Sequence, residues 1–404
     1  MCTDFSIVAH NGDIIIGRSM ELGIDLNSQL FFRGSDFSYT QTPDSELIQQ
    51  IESSGEITFR KDLPLPEARF SWKGQYGFIG MNAFGQPIAS NGMNTEGLTT
   101  GTMVLAQSCY QALRCIDGQR NEQNALFYPY LSSWILSTCA NCQDVIDGLQ
   151  VDKLTSKTLS LSKDKDQKDK LIVADPFTDI PVAFKFHFPV QDAEGNSIVL
   201  EFVDGELHAS DLNPIGVLTN DPLIAWQQEN VTTNYVNLSP VNVQNADNFE
   251  GMQGNNFTGM SYGQGTGFEG LPGSSTPIDR FVRAAMMTNY AFPVATGNEA
   301  VTQAFHVLNT VDIPKGTSRE KLDQKKLGCH QDTPISDYTQ WVTVSDLTNK
   351  TYNIRMYDSP LVFSVSLMDL DLARLESAIF PLPVQKQSTS ITDNIESLYA
   401  PAQA

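Results

Sequence analysis

The first residues of the chain place a cysteine directly behind the initiator methionine, in the sequence MCTDFSIVAH. Removal of Met1 leaves Cys2 with a free α-amine beside its own thiol. An α-amine has an unperturbed pKa of roughly 7.7 to 8.0, close to the pH at which a general base is most effective. One residue can then supply both nucleophile and base. We therefore predict that Cys2 is the nucleophile of an amide hydrolase.

Three other patterns resemble functional motifs but lack the sequence context that their chemistry needs. Residues 265–270 satisfy GxGxxG, yet LeuProGly follows where a phosphate-binding helix would have to begin. Cys139 and Cys142 form a CxxC pair without a second pair or histidines at zinc-ligand spacing, so we interpret them as ordinary thiols near a helix end. His306, within AlaPheHisValLeuAsn, has the apolar surroundings of a core histidine. The sequence predicts neither a nucleotide site nor a metal site.

A β-hairpin at the N-terminus is expected to hold Cys2 in place. Residues 5–9 and 13–20 are rich in strand-forming side chains, and Asn11 and Gly12 between them are a strong tight-turn signal. Cys2 would therefore lie at the start of a strand within a sheet, which is a rigid position for a reactive group.

The remaining elements predict an α+β fold with antiparallel sheet. Helical spacing covers residues 123–149, interrupted at Pro129, and a helix start with proline at its first position lies at Thr276 and Pro277. The other segments are short strands joined by tight turns, at residues 78–105, 182–188, 197–203, 340–346 and 351–357. Successive strands without intervening helices favour antiparallel pairing over βα units.

The composition limits the partners and the compartment of the protein. Among 404 residues, 26 Lys and Arg against 47 Asp and Glu give a formal net charge of -21, which opposes binding to nucleic acid and to anionic membrane surfaces. No segment approaches about 18 consecutive apolar residues. Six cysteines in so long a chain do not form a disulfide framework, and a reducing compartment, the cytoplasm, is expected. A periplasmic or secreted location applies if a signal peptide has been removed.

Several separated motifs, in order, resemble the choloylglycine hydrolase family of N-terminal nucleophile (Ntn) hydrolases, which includes conjugated bile acid hydrolases and penicillin V acylases. The resemblance begins with MetCysThr and spans roughly residues 2 to 360. The motifs that carry it after the N-terminus are GlyArgSerMetGlu at 17–21, AsnGlyMetAsn at 91–94, GlyAsnSerIleValLeuGlu at 195–201, GlyValLeuThrAsnAspPro at 216–222, GlyGlnGlyThrGly at 263–267, GlyLeuProGly at 270–273 and ArgPheValArg at 280–283.

The resemblance implies roles for five residues. Cys2 is the nucleophile, and Arg18 is the cation near its sulfur, a placement that favours the thiolate. Glu21 stands where the family usually has an aspartate that contacts the α-amine. It is one methylene longer, so either the strand shifts or the contact differs. Asn220 matches the asparagine whose side chain helps to form the oxyanion hole, and Arg280 matches the active-site arginine after ThrPro.

A second departure from the family pattern concerns the oxyanion hole. The position that is Asn or Tyr in the family falls on Val104, whose side chain has no hydrogen-bond donor. We expect the backbone N–H of Val104 to serve instead, since losing a donor from such a site costs about 3 kcal/mol.

The resemblance also implies a fold and an assembly. It implies a four-layer αββα sandwich with two antiparallel sheets, assembled as a homotetramer, with a small-molecule amide substrate and with neither a metal nor an organic cofactor. We expect a single domain over residues 2–380 with insertions near 35–70 and 153–170, followed by a C-terminal tail over 381–404.

The substrate is expected to be an amide of a carboxylic acid. We favour a linear amide with a bulky apolar acyl group, of the conjugated bile salt or penicillin V type, and acyl homoserine lactones are an alternative. The expected pocket wall includes residues 22–34, Phe84, Met103 and Trp134. Two other classes stay open: a binding protein with a degenerate Ntn site, and a redox protein that uses its CxxC pair.

Overall fold

The computed structural model describes eleven stretches of the chain. Most of the predicted insertions near 35–70 and 153–170, and most of the predicted tail over 381–404, lie outside the described residues. The domain boundaries therefore remain predictions. Motif residues 263–266 also lie outside the described residues. The helices within the described stretches are too short or too polar to cross a membrane. The described residues are 1–41, 70–112, 114–116, 119–121, 124–151, 159–160, 171–175, 184–241, 267–319, 336–372 and 377–382.

The first sheet carries the N-terminus of the chain. Cys2 lies opposite Met20 in its N-terminal hairpin, and Gly12 in the connecting turn has a φ of 90°, which confirms the predicted hairpin. The strands are β1 (Cys2–Val8), β2 (Ile14–Leu22), β18 (Val217–Leu218), β19 (Ser318–Arg319), β20 (Ser336–Asp346), β21 (Thr351–Met356) and β22 (Phe363–Ser366). Their antiparallel order is β18-β1-β2-β20-β21-β22, and β19 also pairs with β20.

The second sheet packs against the first. The strands are β3 (Leu30–Arg33), β6 (Phe78–Ala83), β7 (Gln86–Asn94), β8 (Thr99–Gly101), β9 (Met103–Val104), β13 (Leu159–Ser160), β15 (Phe186–Gln191), β16 (Ser197–Val203), β17 (Glu206–Asp211) and β23 (Ser377–Phe380). Their order is β13-β17-β16-β15-β8-β7-β6-β3-β23, and β9 also pairs with β15. The strand predicted at 197–203 is confirmed as β16, whereas the strand predicted at 182–188 begins only at Phe186, as β15.

Three short strand pairs lie outside the two large sheets. They are β4 (Ser38–Thr40) with β5 (Ser71–Lys73), β10 (Arg114–Ile116) with β11 (Gln119–Asn121), and β12 (Ala125–Phe127) with β14 (Ile172–Ala174). The last pair is parallel.

Helices cover the outer faces of the sheets. The helix predicted from Thr276 and Pro277 is confirmed, because the Thr276 hydroxyl accepts the backbone N–H of Asp279 at its start. The predicted helical stretch 123–149 is only partly helical, since its first part forms β12 and a 3-10 turn that contains Pro129. The helices are α1 (Leu131–Thr138), α2 (Cys142–Gly148), α3 (Ile224–Asn234), α4 (Pro277–Tyr290) and α5 (Gly297–Val311), and two 3-10 turns are Tyr128–Tyr130 and Leu367–Asp369.

The layers stack as helices, sheet, sheet, helices. Helices α4 and α5 contact β1 and β2, whereas α1 contacts β7 and β8 of the other sheet. Side chains connect the facing surfaces of the sheets: Gln191 Nε2 donates to Asp4 Oδ1 at 2.5 Å, and Thr343 donates to Asn91 at 3.1 Å. This arrangement confirms the four-layer αββα sandwich.

Strand alternation gives β1 two chemically different faces. Asp4 contacts the second sheet and Thr3 contacts α4, so Cys2, two residues from Asp4, faces the space between the sheets. The nucleophile candidate thus lies at one end of the interface between the sheets.

Candidate active site

Cys2 is buried and held at its backbone on both sides. Its N–H donates to Asn220 Oδ1 at 2.6 Å, and its carbonyl accepts a hydrogen bond of 2.5 Å from Arg280 Nη1. Its sulfur lies 3.7 Å from the Met20 sulfur on the neighbouring strand. The structure therefore brings two of the predicted site residues, from distant parts of the sequence, into direct contact with Cys2.

Asn220 connects three parts of the site through one amide group. Its oxygen accepts from the Cys2 N–H and, at 2.8 Å, from Arg280 Nη2, which assigns the amide orientation. Its nitrogen donates to the Val104 carbonyl at 2.8 Å. Because an amide nitrogen carries two hydrogens, Asn220 keeps one more N–H for a ligand.

The backbone of Val104 points toward Asn220. Val104 pairs with Phe186 of β15, and the next residue, Leu105, donates its N–H to the Lys185 carbonyl at 2.7 Å. This pattern makes Val104 and Phe186 a non-hydrogen-bonded pair of the antiparallel ladder. The N–H and C=O of Val104 therefore both point away from β15, and the C=O meets the Asn220 side chain.

Arg18 is a buried cation on the strand beside Cys2. It lies opposite Asp4 in the hairpin, which makes it a diagonal neighbour of Cys2, about 7 to 8 Å away and within reach of a long side chain. Its Nη2 donates to the Thr102 carbonyl. A Cβ at Gly101 would come within 2.9 Å of the guanidinium carbon, so only glycine leaves room for it. Within the described part of the chain, Nε and Nη1 have no hydrogen-bond partner.

Glu21 meets the N-terminal amine through its backbone instead of its carboxylate. The Met1 ammonium donates to the Glu21 carbonyl, and the side-chain Oε1 accepts from the Thr339 hydroxyl at 3.0 Å. The cause is a bulge in β20: Met20 pairs with Trp341 but Glu21 pairs with Thr339. Burial raises the pKa of Glu21, and the positive charges of Arg280 and the N-terminus oppose this. The contact of Glu21 with the α-amine of Cys2 stays a prediction, because the amine that donates to the Glu21 carbonyl belongs to Met1.

Arg280 extends from the first turn of α4 into the protein and not into solvent. Its Nε donates to the Ser275 carbonyl at 3.0 Å, and its Nη1 reaches Thr3 Oγ1 at 2.7 Å as well as the Cys2 carbonyl. Burial lowers its pKa, and the charges of Glu21, Cys2 and Asp337 act in the opposite direction. Arg280 therefore fixes the strand that carries the nucleophile.

Several residues around the site were not predicted from the sequence. Asp4 could have been found, because it lies two residues after Cys2 and so faces the same side of the strand. Asp337, whose Oδ2 lies 4.0 Å from the N-terminal nitrogen, has no such signal, since its position depends on the pairing of β20 with β2. The others are Thr3, Met20, Thr102, Gln191 and Thr339.

The buried carboxyl of Asp4 gives the folded protein a testable pH dependence. Burial raises its pKa from 3.8 to about 6, although the charge of Arg18 and the hydrogen bond from Gln191 oppose the shift. The folded state thus holds this proton more tightly than the unfolded chain, so its stabilising contribution is present below about pH 4 and is lost as the pH rises through 6.

We expect the free energy of unfolding of the wild type, relative to Asp4→Asn, to fall by about 3 kcal/mol between about pH 4 and 7. Urea unfolding of both proteins across this range measures the difference. A difference that stays constant, or one that rises with pH, would contradict the assignment.

Two of the residues that the sequence marked lie elsewhere. His306 is exposed on α5 and is not a core histidine, because the buried face of the helix is formed by Ala304 and Val307 beside it. Trp134 packs against Gly148 of α2 in the core on the outer side of the second sheet, so the prediction that it lines the pocket is wrong. Phe84 and Met103 do share a core with Cys2.

The CxxC pair has the properties of structural thiols. Cys139 and Cys142 are buried and unbridged. Burial raises the pKa of Cys139 to about 12 and raises that of Cys142 well above its ordinary value, so neither is an activated thiol. Within the described residues, no cluster of three or more His, Cys, Asp or Glu could hold a metal ion.

Comparison with known proteins places the chain among hydrolases. Residues 2–380 match the model of the linear amide C–N hydrolases, choloylglycine hydrolase family. A bile salt hydrolase/transferase of Clostridium perfringens is 24% identical over 369 residues, which cover 91% of this chain and 92% of that protein. Penicillin V acylase of Pectobacterium atrosepticum is 21% identical over 421 residues, which cover 100% of this chain and 90% of that protein.

A solved structure shows the same fold. A mutant conjugated bile acid hydrolase from Clostridium perfringens superposes with a TM-score of 0.68 over 95% of this chain and 98% of its own, at 22% sequence identity. The likeness confirms the four-layer αββα architecture described above.

Proposed function

The chain belongs to the choloylglycine hydrolase family and is a linear amide C–N hydrolase, and from this we propose that Cys2, freed of Met1, attacks the substrate carbonyl. The observation that carries this proposal is the convergence of Asn220 and Arg280 on the backbone of Cys2. After Met1 leaves, the nitrogen that now donates to Asn220 becomes the α-amine, held beside its own thiol.

In the first step, the thiolate forms a bond to the amide carbon. The α-amine takes the thiol proton and then delivers it to the leaving nitrogen as the C–N bond breaks. Arg18 on the neighbouring strand, whose buried Nε and Nη1 have no hydrogen-bond partner among the described residues, stabilises the negative sulfur. The acyl group is left on Cys2 as a thioester.

In the second step, water hydrolyses the thioester. The α-amine removes a proton from water, and the acid is released as the thiol takes a proton back. In both steps the remaining N–H of Asn220 and the backbone N–H of Val104 stabilise the oxyanion, since the two groups converge where the Asn220 nitrogen meets the Val104 carbonyl. Glu21 has an indirect role, because its carboxyl contacts Thr339 while the Cys2 nitrogen donates to Asn220.

The proposed role of the Val104 backbone predicts different outcomes for two substitutions. Because the Val104 N–H points away from the β-ladder, proline removes this donor without breaking a strand hydrogen bond. We expect Val104→Pro to lower kcat by about 100-fold and Val104→Ala to leave it within about threefold. Steady-state kinetics on both variants tests this, and an equal loss in both would show that the side chain matters and not the N–H.

For the substrate we propose a linear amide with a bulky apolar acyl group. Support comes from the relatives, whose names include bile salt hydrolase/transferase and penicillin V acylase, and from apolar residues that share the Cys2 core, among them Leu26, Phe84 and Met103. Amine release from glycocholate, taurocholate, penicillin V and a long-chain acyl homoserine lactone identifies the acyl class. Release from none of them by enzyme that lacks Met1 would favour a binding role for the fold.

We further propose a homotetramer in a reducing compartment, the cytoplasm. The assembly is supported by exposed apolar side chains such as Phe292, Met368 and Phe380, which an interface would cover, and the compartment by Cys2, Cys109, Cys139 and Cys142, which form no disulfide. The net charge of -21 argues against nucleic acid and anionic membranes as partners. Light scattering should give four times the chain mass of 44.6 kDa, and a monomer mass would contradict the assembly.

A further inference from the structure

A buried histidine and a buried glutamate contact the segment that carries Asn220. His187 of β15 and Glu201 of β16 have side-chain exposures of only 0% and 5%. Nε2 of His187 lies 2.8 Å from the carbonyl oxygen of Thr219, and Nδ1 lies 3.4 Å from Glu201 Oε1. The second sheet therefore reaches the residue directly before Asn220 through an imidazole ring.

The partners of His187 hold its ring from two sides. The Thr219 carbonyl can only accept, so Nε2 of His187 carries the hydrogen that donates to it. Nδ1 faces Glu201 Oε1, which also accepts the backbone N–H of Ile224 at 2.9 Å, at the first residue of α3. Glu201 therefore holds the ring from the side opposite to Thr219.

The contact with Thr219 controls the orientation of Asn220. A peptide unit is planar, so fixing the Thr219 carbonyl also fixes the N–H and the Cα of Asn220 in the same plane. Other groups hold the segment at its ends: the Thr219 hydroxyl donates to Pro277 at 2.9 Å, and the Asp221 carboxylate accepts from Ala106 at 3.0 Å. His187 contacts the peptide group that leads directly into Asn220.

We propose that His187, held by Glu201, is a positioning residue that sets the Asn220 side chain at the distance required to bind the oxyanion. The proposal rests on the oxyanion role of Asn220 given above. The ring acts through the Thr219–Asn220 peptide and takes no part in proton transfer with the substrate. Its loss should therefore weaken acyl transfer and leave thiol reactivity unchanged.

The first test compares three substitutions at histidines. His187→Phe keeps a ring but removes both ring nitrogens, His187→Gln keeps an amide N–H that can reach Thr219, and His306→Phe makes the matched change at an exposed position. We expect His187→Phe to lower kcat by about 10- to 100-fold with KM within about threefold, since small misplacements of a catalytic group have effects of this size. His187→Gln should recover most of the loss, and His306→Phe should match the wild type.

A second readout separates positioning from general damage to the fold. Alkylation of Cys2 by iodoacetamide forms no oxyanion, so its rate should be unchanged in His187→Phe. The rate is followed on the N-terminal peptide, in a Cys109→Ala background that removes an exposed thiol. Where His187→Phe alone fails to fold because Glu201 is left unpaired, the double variant with Glu201→Gln carries the same test. Equal losses in alkylation and hydrolysis would overturn the proposal.

A double-mutant cycle with Asn220→Ala gives the decisive outcome. If His187 acts through Asn220, then His187→Phe should lower kcat by less than about threefold in the Asn220→Ala background. A full additional loss there would overturn the proposal. Wild-type activity in Asn220→Ala would overturn both the oxyanion assignment and this inference. A low rate in Asn220→Ala with a wild-type rate in His187→Phe would overturn the inference alone.

Discussion

Replacing Cys2 with alanine should abolish amide hydrolysis, with kcat lowered by at least about 10⁴-fold. The residue supplies the thiolate, and its backbone nitrogen, held by Asn220, supplies the base. Where a nucleophile and its base act as a unit, removing the nucleophile costs about as much as removing both. The rate of amine release, measured on the substrate that the wild type cleaves best, tests this expectation.

The matched control is Cys109→Ala, which removes an exposed thiol outside the site. This variant should keep wild-type kcat and KM. Cys2→Ala should also keep the wild-type fold, because alanine fits the buried position and leaves a void of about one sulfur atom. Substantial hydrolysis by a folded Cys2→Ala protein would exclude Cys2 as the nucleophile.

The second large effect is expected at Asn220. Its amide holds the Cys2 nitrogen, accepts from Arg280 and reaches Val104, and it keeps one N–H for the oxyanion. Asn220→Asp preserves the shape and the two acceptor contacts but removes the N–H donors. We expect kcat to fall by about 10³-fold, with a smaller change in KM, because the lost hydrogen bond forms in the transition state.

Asn298→Asp, an exposed position at the start of α5, makes the same chemical change away from the site and should leave kcat unchanged. Steady-state kinetics on both variants, with thermal unfolding to verify the fold, completes the comparison. A loss in Asn220→Asp that appears mainly in KM would show that Asn220 binds the ground state and not the oxyanion.

The parts of the fold that local signals determine could be predicted from the sequence. The N-terminal hairpin follows from strand-forming runs around Asn11 and Gly12, and the start of α4 follows from Thr276 and Pro277, because a turn and a helix cap depend on neighbouring residues. The motif order correctly indicated the family. The structure brings Asn220 and Arg280, both carried over by resemblance, onto the Cys2 backbone.

The parts that depend on strand register could not be predicted. The side chain of Glu21 meets Thr339 because of a bulge in β20, a strand more than 300 residues away along the chain. The contact between His187 and Glu201 depends on the register of β15 and β16. In this register Phe188 lies opposite Leu200, and His187 and Glu201 are the next residues on each strand. His306 is a different kind of error, since its place on the exposed face of α5 follows from helical periodicity.

The central claim is that Cys2 acts as both nucleophile and base, which requires a free α-amine. The most direct test fuses a short extension to Cys2 through a site-specific protease sequence that leaves Cys2 as the first residue. Hydrolysis is measured before cleavage and during it, together with the fraction of chains that begin at Cys2. We predict no hydrolysis before cleavage and a rate that rises in proportion to the free Cys2 terminus. Equal hydrolysis by the extended and the cleaved protein would contradict the account, because the base would then have to be another group.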